Sequence, residues 1–163
     1  MITRVEDMTM ENFPLEEEYH EAWVRVKALL DAPDRFRLLY VGLPSAPRLH
    51  LKHGMVNYWK DRTDWVHCSI YAYTEELVRA IEKAQTFEFR PKYEEPQILL
   101  LDDLEVVCGK EATQEEIWLL IKRRLEAGKT TIVFSEYQLY QLRLTLTDRL
   151  FSLLTLGLTD QAD

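Results

Sequence analysis

The sequence predicts an α/β fold, a parallel sheet held between helices in three layers, on three observations. Ile98-Leu99-Leu100-Leu101 is a continuous apolar run that stops abruptly at Asp102-Asp103, the pattern of a central strand buried on both faces. Three further short runs, at 37–42, 66–72 and 130–135, read as strands. They alternate with segments of helical periodicity, and such alternation implies parallel pairing through crossover connections.

Each element has its own local basis. From Pro14 to Leu30 a first helix is predicted, because Leu15, Tyr19, Ala22, Trp23, Val26 and Leu29 or Leu30 fall on one face. Arg37–Gly42 is the first strand, broken by Gly42. The next helix turns Leu51, Met55, Tyr58 and Trp59 inward; Pro47 suits its first turn and Ser45 its cap. Val66–Ala72 alternates as a second strand, after which Thr74 caps a helix with Glu75 and Glu76 in its first turn and Leu77, Ile81 and Ala84 inward. Beyond the central strand, Thr113 and Glu116 predict a capping box for a helix that buries Ile117, Leu120, Ile121 and Leu125 and ends at Gly128. Trp118 and Leu119 widen its apolar stripe, as core or as a partner surface. Thr130–Ser135 is the fourth strand, Leu146–Leu154 a short helix, and 156–159 a short fifth strand.

The 163 residues, 47% apolar and 29% charged, are expected to form one domain over 1–163, with an N-terminal segment 1–13 and a core 14–163. No apolar run approaches the roughly 18 residues of a membrane span, and Met1–Asp7 lacks the basic-then-apolar pattern of a secretion leader. A cytoplasmic protein without membrane contacts is expected. The net charge of −8 disfavours nonspecific attachment to nucleic acid. Cys68 and Cys108 read as reduced thiols. His50 and His53 lie three apart on a helix, but no further ligand stands near them in sequence, so no metal site is expected.

In open α/β sheets ligands bind at the carboxyl ends of the strands, and an acid there commonly holds magnesium in nucleotide-hydrolysing proteins. Asp102 and Asp103 occupy that place. The stretch that follows, Gly109-Lys110-Glu111-Ala112-Thr113-Gln114-Glu115-Glu116, leads into a helix. Together, Ile98–Glu116 closely resembles the Walker B strand and following helix of the bacterial DnaA and Hda family of replication ATPases. Leu49–Tyr58, Thr74–Val78, Phe87–Tyr93, Leu146–Leu150 and Leu156–Leu158 match the family in order and spacing. The resemblance covers nearly the whole chain. It implies an AAA+ core with five parallel strands in the order 5-1-4-3-2. It also implies that Met8–Phe13 lies where the family holds adenine, although the segment could serve packing alone.

The family's phosphate loop reads G-x-x-x-x-G-K-[ST]: glycines let amides curl around phosphates, lysine reaches the outer phosphates, and the hydroxyl binds magnesium. Here the matching residues are Gly42-Leu43-Pro44-Ser45-Ala46-Pro47-Arg48-Leu49. Pro44 and Pro47 remove two amide donors and lock two φ angles. Arg48 keeps a charge but replaces a compact ammonium with a planar fork, and Leu49 has no hydroxyl. The resemblance places sensor 1 at Ser135-Glu136. Leu153 stands where the family has its arginine finger, four residues after the family arginine matched by Arg149. The chain ends where a family member continues into a lid and, in the initiator, a DNA-binding domain.

These departures lead to the expectation of a degenerate, non-enzymatic relative that binds no cofactor and no metal. It would regulate replication initiation or helicase loading by contacting DnaA, the replicative helicase or a sliding clamp. Asp102 and Asp103 then hold the turn after the strand. An atypical nucleotide-binding ATPase is the alternative, for which Asp102, Asp103 and Glu136 speak. Weak single-stranded DNA binding is a second alternative: Val78 and Lys110 match family residues that contact DNA, Ala112 replaces a basic one, and Arg90, Lys92 and Lys52 are further candidates.

Overall fold

A computed structural model describes residues 4–159. Four strands, β1 (Leu38–Gly42), β2 (Trp65–Ser69), β3 (Ile98–Asp102) and β4 (Thr130–Ser135), form one parallel sheet in the order β1-β4-β3-β2. β1, β3 and β4 are buried along their whole length. Their alternate residues feed two separate cores. Leu39, Val41, Ile98, Leu100, Ile132 and Phe134 pack beneath α1 (Glu17–Asp31) and α2 (Ser45–Trp59). Leu38, Tyr40, Leu99, Leu101 and Val133 face α3 (Ile70–Glu82), α4 (Thr86–Glu94), α5 (Glu111–Glu126) and α6 (Asp148–Thr155). This is the expected three-layer arrangement.

The expected fifth strand is not among the described residues. Leu156–Leu158 is a 3-10 turn lying against β1, so close that a Cβ on Gly157 would come within 2.7 Å of the Tyr40 nitrogen. Arg25 of α1 takes the carbonyls that a strand would need, donating from Nη1 to Tyr40 O at 3.0 Å and from Nη2 to Gly157 O. The order 1-4-3-2 otherwise agrees with the expectation.

Several element boundaries also shift. α1 starts at Glu17 rather than Pro14, and Leu15 is exposed. α2 is capped at Pro44, so Ser45 is its first residue and not its cap. β2 ends at Ser69, whose hydroxyl accepts the Ala72 amide and caps α3. Thr74 therefore lies inside α3, which buries Ile70, Tyr73, Leu77 and Ala80, while Ile81 and Ala84 are exposed. The Thr113–Glu116 capping box does not form: α5 begins at Glu111 after Lys110, and the Glu116 carboxylate turns to Arg90 at 3.6 Å. Gly128, at φ +72°, follows the end of α5 as expected. α6 begins at Asp148, two residues after the predicted start, with Thr147 as its cap. Among the described residues, no helix is long and apolar enough to cross a membrane.

Candidate functional site: the carboxyl edge of the sheet

Register brings Ser69 beside Asp102 and Gly42 beside Ser135, so the loops leaving all four strands meet at one edge. The first turns of α2 rise from the same edge and place Arg48 and Lys52, four apart, on one face. Both are buried.

Asp102 is the centre of the ion pairs there. Its Oδ2 lies 2.7 Å from Lys52 Nζ and its Oδ1 3.2 Å from Arg48 Nε, and Oδ1 also accepts the Asp103 amide at 2.7 Å. Asp103 adopts a left-handed backbone (φ +64°), with its Oδ1 3.4 Å from Arg48 Nη2. Burial, reinforced by the neighbouring Asp102, pushes its carboxyl above the ordinary range. Arg48 Nη1 donates to Leu43 O at 3.0 Å and lies 4.0 Å from Glu105 Oε1, which in turn accepts the Glu136 amide at 2.9 Å. Arg48 thus joins the loops after β1 and β3, and Glu105 extends the connection to the loop after β4.

The residues of the phosphate-loop position have been drawn into helix and sheet contacts. The Leu43 amide donates to Ser135 O at 2.9 Å, and the Arg48 amide to Pro44 O at 3.0 Å in the first helical turn. Pro44 and Pro47 have no amide hydrogen. Pro47 is tolerated as the third residue of α2 because the first amides of a helix have no intrahelical acceptor. Only Ser45 and Ala46 remain, between Gly42 and Arg48, with amides free of the contacts just described. Gly42 is covered as well: a Cβ there would collide with the Tyr137 carbonyl oxygen, and Gln138 Nε2 donates to Gly42 O at 2.8 Å. Tyr40 Oη donates to Tyr137 O at 2.7 Å, and burial raises its hydroxyl to about 12. Leu49 is exposed and brings no oxygen to the edge. A magnesium–triphosphate group does not fit this donor set, because Asp102 already faces two cations, Pro44 and Pro47 offer no amide, those of Leu43 and Arg48 are bonded within the fold, and the hydroxyl is missing. Among the described residues no three His, Cys, Asp or Glu side chains are grouped to hold a metal.

The remaining candidates lie elsewhere or face other partners. Glu136 is exposed, with its amide rather than its carboxylate tied down. Arg149 stacks over Trp118, 3.7 Å from the ring centroid, and pairs with Glu115 at 3.1 Å; Leu153 is buried on the same helix. Of the nucleic-acid candidates, Lys52 is a correction, since its ammonium is buried against Asp102 and not offered to solvent. Arg90 pairs with Glu116 and Lys92 with Glu76, at 3.6 and 2.9 Å. Val78 and Lys110 are exposed. The two histidines diverge: His50 Nε2 lies 2.8 Å from Asn12 Oδ1, whereas His53 meets the His67 ring edge to face. Met10 and Phe13 are buried in the core beneath α1 and α2.

Sequence reasoning missed the ionic partnership of Lys52 and the bridging role of Glu105. The spacing of Arg48 and Lys52, one helical turn apart behind a strand and facing an acid-ended strand, was the available signal.

The chain is similar to replication proteins over nearly all of its length. A family model described as the bacterial DnaA ATPase domain matches residues 6–161. The chromosomal replication initiator protein DnaA of Roseiflexus castenholzii is 37% identical over 123 residues, covering 74% of this chain and 25% of that relative. A solved replication initiator DnaA bound to AMPPCP and single-stranded DNA superposes with a TM-score of 0.82 at 26% identity, over 91% of this chain and 47% of that one. The DnaC helicase loader, 18% identical, shares the fold with a TM-score of 0.73 over 93% of each chain. The chain thus spans about a quarter of the curated relative and about half of the solved initiator. With its parallel 1-4-3-2 sheet and a family match over residues 6–161, the chain belongs to the bacterial DnaA ATPase domain family.

Proposed function

We propose that this chain is a nucleotide-independent DnaA-type core that acts in replication initiation or helicase loading by contacting other replication proteins. The observation that supports this reading is the pairing of Asp102 with both Lys52 and Arg48. Both oxygens of the carboxylate that a magnesium ion would draw on are engaged by cations of the chain itself. To bind magnesium, Asp102 would have to release a buried ammonium at 2.7 Å, which leaves that charge uncompensated in a low-dielectric site. A protein partner is favoured over single-stranded DNA, because Arg90 and Lys92 already pair with carboxylates and the chain carries −8. The solved relatives named for an initiator and a helicase loader support a partner within replication, such as DnaA, the helicase or a clamp.

Titration calorimetry with ATP and magnesium tests the nucleotide half. No saturable heat is expected, and a dissociation constant in the low micromolar range would overturn the reading. For the partner half, the chain is mixed with the initiator of its own host while phosphate release is followed. With Leu153 at the arginine-finger position, release should stay unchanged or fall. Stimulation abolished by Arg149→Ala would instead assign the chain a catalytic contribution.

A further inference from the structure

The two edges of the sheet differ. Beside β1, Arg25 takes the Tyr40 carbonyl and the turn Leu156–Leu158 packs against the strand. β2 forms the other edge and pairs with β3 alone. Every residue of β2 is half-buried, whereas β1, β3 and β4 are buried throughout.

The backbone of β2 can be assigned residue by residue. The Ile98 amide donates to Asp64 O at 3.2 Å, and in a parallel ladder alternate residues bond to the same neighbour, so Asp64, Val66 and Cys68 face β3. The N–H and C=O groups of Trp65 and His67, and the Ser69 amide, therefore point away from the sheet. Among the described residues none of these groups has a hydrogen-bond partner. Such a row is a template for a further strand, and proteins usually blunt it with charge, proline or a bulge. Trp65-Val66-His67-Cys68-Ser69 has no Lys, Arg, Asp, Glu or Pro, and its register with β3 is unbroken. His67 is lowered to about 4, chiefly by burial, and is uncharged at neutral pH.

We propose that two copies of this chain pair through β2, antiparallel about a two-fold axis at His67. The outward pattern is its own complement under that axis. Each His67 exchanges N–H and C=O bonds with its mate, and the Ser69 amide of one copy meets Trp65 O of the other. Val66 then stands beside Cys68 of the second copy, apolar against apolar. The Trp65 end of one strand meets the end of the other from which the exposed Tyr71 continues, and Trp and Tyr are enriched where interfaces gain their affinity. A second copy fits this edge because it brings a strand of the same length with no charge to oppose its mate at the axis. The two four-stranded sheets become one. None of the outward groups belongs to the ion pairs of Arg48, Lys52 and Asp102, so this interface and the function proposed above fail separately.

Sedimentation of the whole chain across concentrations, with amide hydrogen exchange read residue by residue, tests the pairing. A dimer with a dissociation constant below about 100 μM is expected, in which the Trp65, His67 and Ser69 amides exchange at least about tenfold more slowly than in the dilute monomer. His67→Pro removes the outward amide at the axis and leaves the ladder to β3 intact, so it should weaken dimerisation at least about tenfold. If that variant does not fold, Val66→Cys replaces it: across a non-hydrogen-bonded antiparallel pair the Cα atoms lie about 4.5 Å apart, within disulfide reach. Mild oxidation should then give a covalent dimer that Cys68→Ser abolishes. A chain that stays monomeric overturns the proposal. So does a dimer whose three amides keep the monomer's exchange rates, one unaffected by His67→Pro, or a Val66→Cys variant that forms no cross-link or keeps it after Cys68→Ser.

Discussion

Arg124 shows how far one side chain's environment can depart from what its letter suggests. In sequence it closes the run Lys122-Arg123-Arg124 on a helix and looks like solvated charge. In the structure it is 0% exposed. Its Nε donates to Thr131 Oγ1 at 2.8 Å, its Nη1 to the carbonyls of Tyr93 and Pro96, and its Nη2 to Thr130 O. It therefore ties the end of α4 and the entry to β3 to the start of β4. Burial lowers its guanidinium to about 10, still charged at neutral pH. Arg124→Met should destabilise the chain by about 3 kcal/mol or more, because buried carbonyls are left without donors. Arg124→Lys should recover only part, since one ammonium cannot reach the same acceptors. Urea denaturation of the three proteins measures this, and a loss under about 1 kcal/mol for Arg124→Met would refute it.

Among the elements, α3 is the instructive case. Alternation through Val66–Ala72 reads as a strand, yet the chain turns helical at Ile70 because Ser69 is placed to cap it and Ile70, Tyr73, Leu77 and Ala80 reach the core. Thr74, the cap expected from sequence, instead donates its hydroxyl to Tyr71 O within the helix. The two positions are thus separable by mutation. Ser69→Ala should cost about 1 kcal/mol, the usual value of a lost helix cap, whereas Thr74→Ala should be close to neutral. Equal losses in thermal or urea unfolding would contradict the observed start of α3. Gln114 on α5 is a second connection that periodicity misses. Its side-chain amide donates to Val107 O and Thr145 O, and its oxygen accepts the Thr147 amide, joining α5 to the loops before it and before α6.

For the whole molecule, the histidines beside the ion pairs give the pH dependence a sign. His67 is lowered from 6.5 to about 4, chiefly by burial and then by Lys52 and His53, with Asp102 opposing. His53 is lowered too, by burial and Lys52. Between pH 6.5 and 4 the unfolded chain binds a proton at His67 that the folded chain refuses, so stability rises with pH there and falls on acidification. Below about 4 both states carry the proton and this contribution levels off. Melting temperatures across pH 4 to 7 should decline toward acid, and His67→Gln should flatten the decline. An unchanged profile in that variant would place the sensitivity elsewhere.

The sequence alone determined the α/β class, the four parallel strands, the central position of Ile98–Asp102 and the family resemblance. These rest on residue identity and short-range periodicity, which a linear chain displays directly. It also marked the altered residues of the phosphate-loop position, Pro44, Pro47, Arg48 and Leu49, because a missing amide or hydroxyl is visible in the letters. Only the tertiary structure decided what these residues and their neighbours contact. Lys52 and Arg48 meet Asp102 across about fifty positions of chain, and Gly42 is covered by Tyr137 and Gln138 from the far side of β4. The same holds for the edge beside β1, where Arg25 takes the Tyr40 and Gly157 carbonyls and Leu156–Leu158 forms a turn in place of a fifth strand. Burial of a charge depends on which distant carboxylate or carbonyl arrives beside it, and that arrival is settled by the packing of the sheet and its helices rather than by any local pattern.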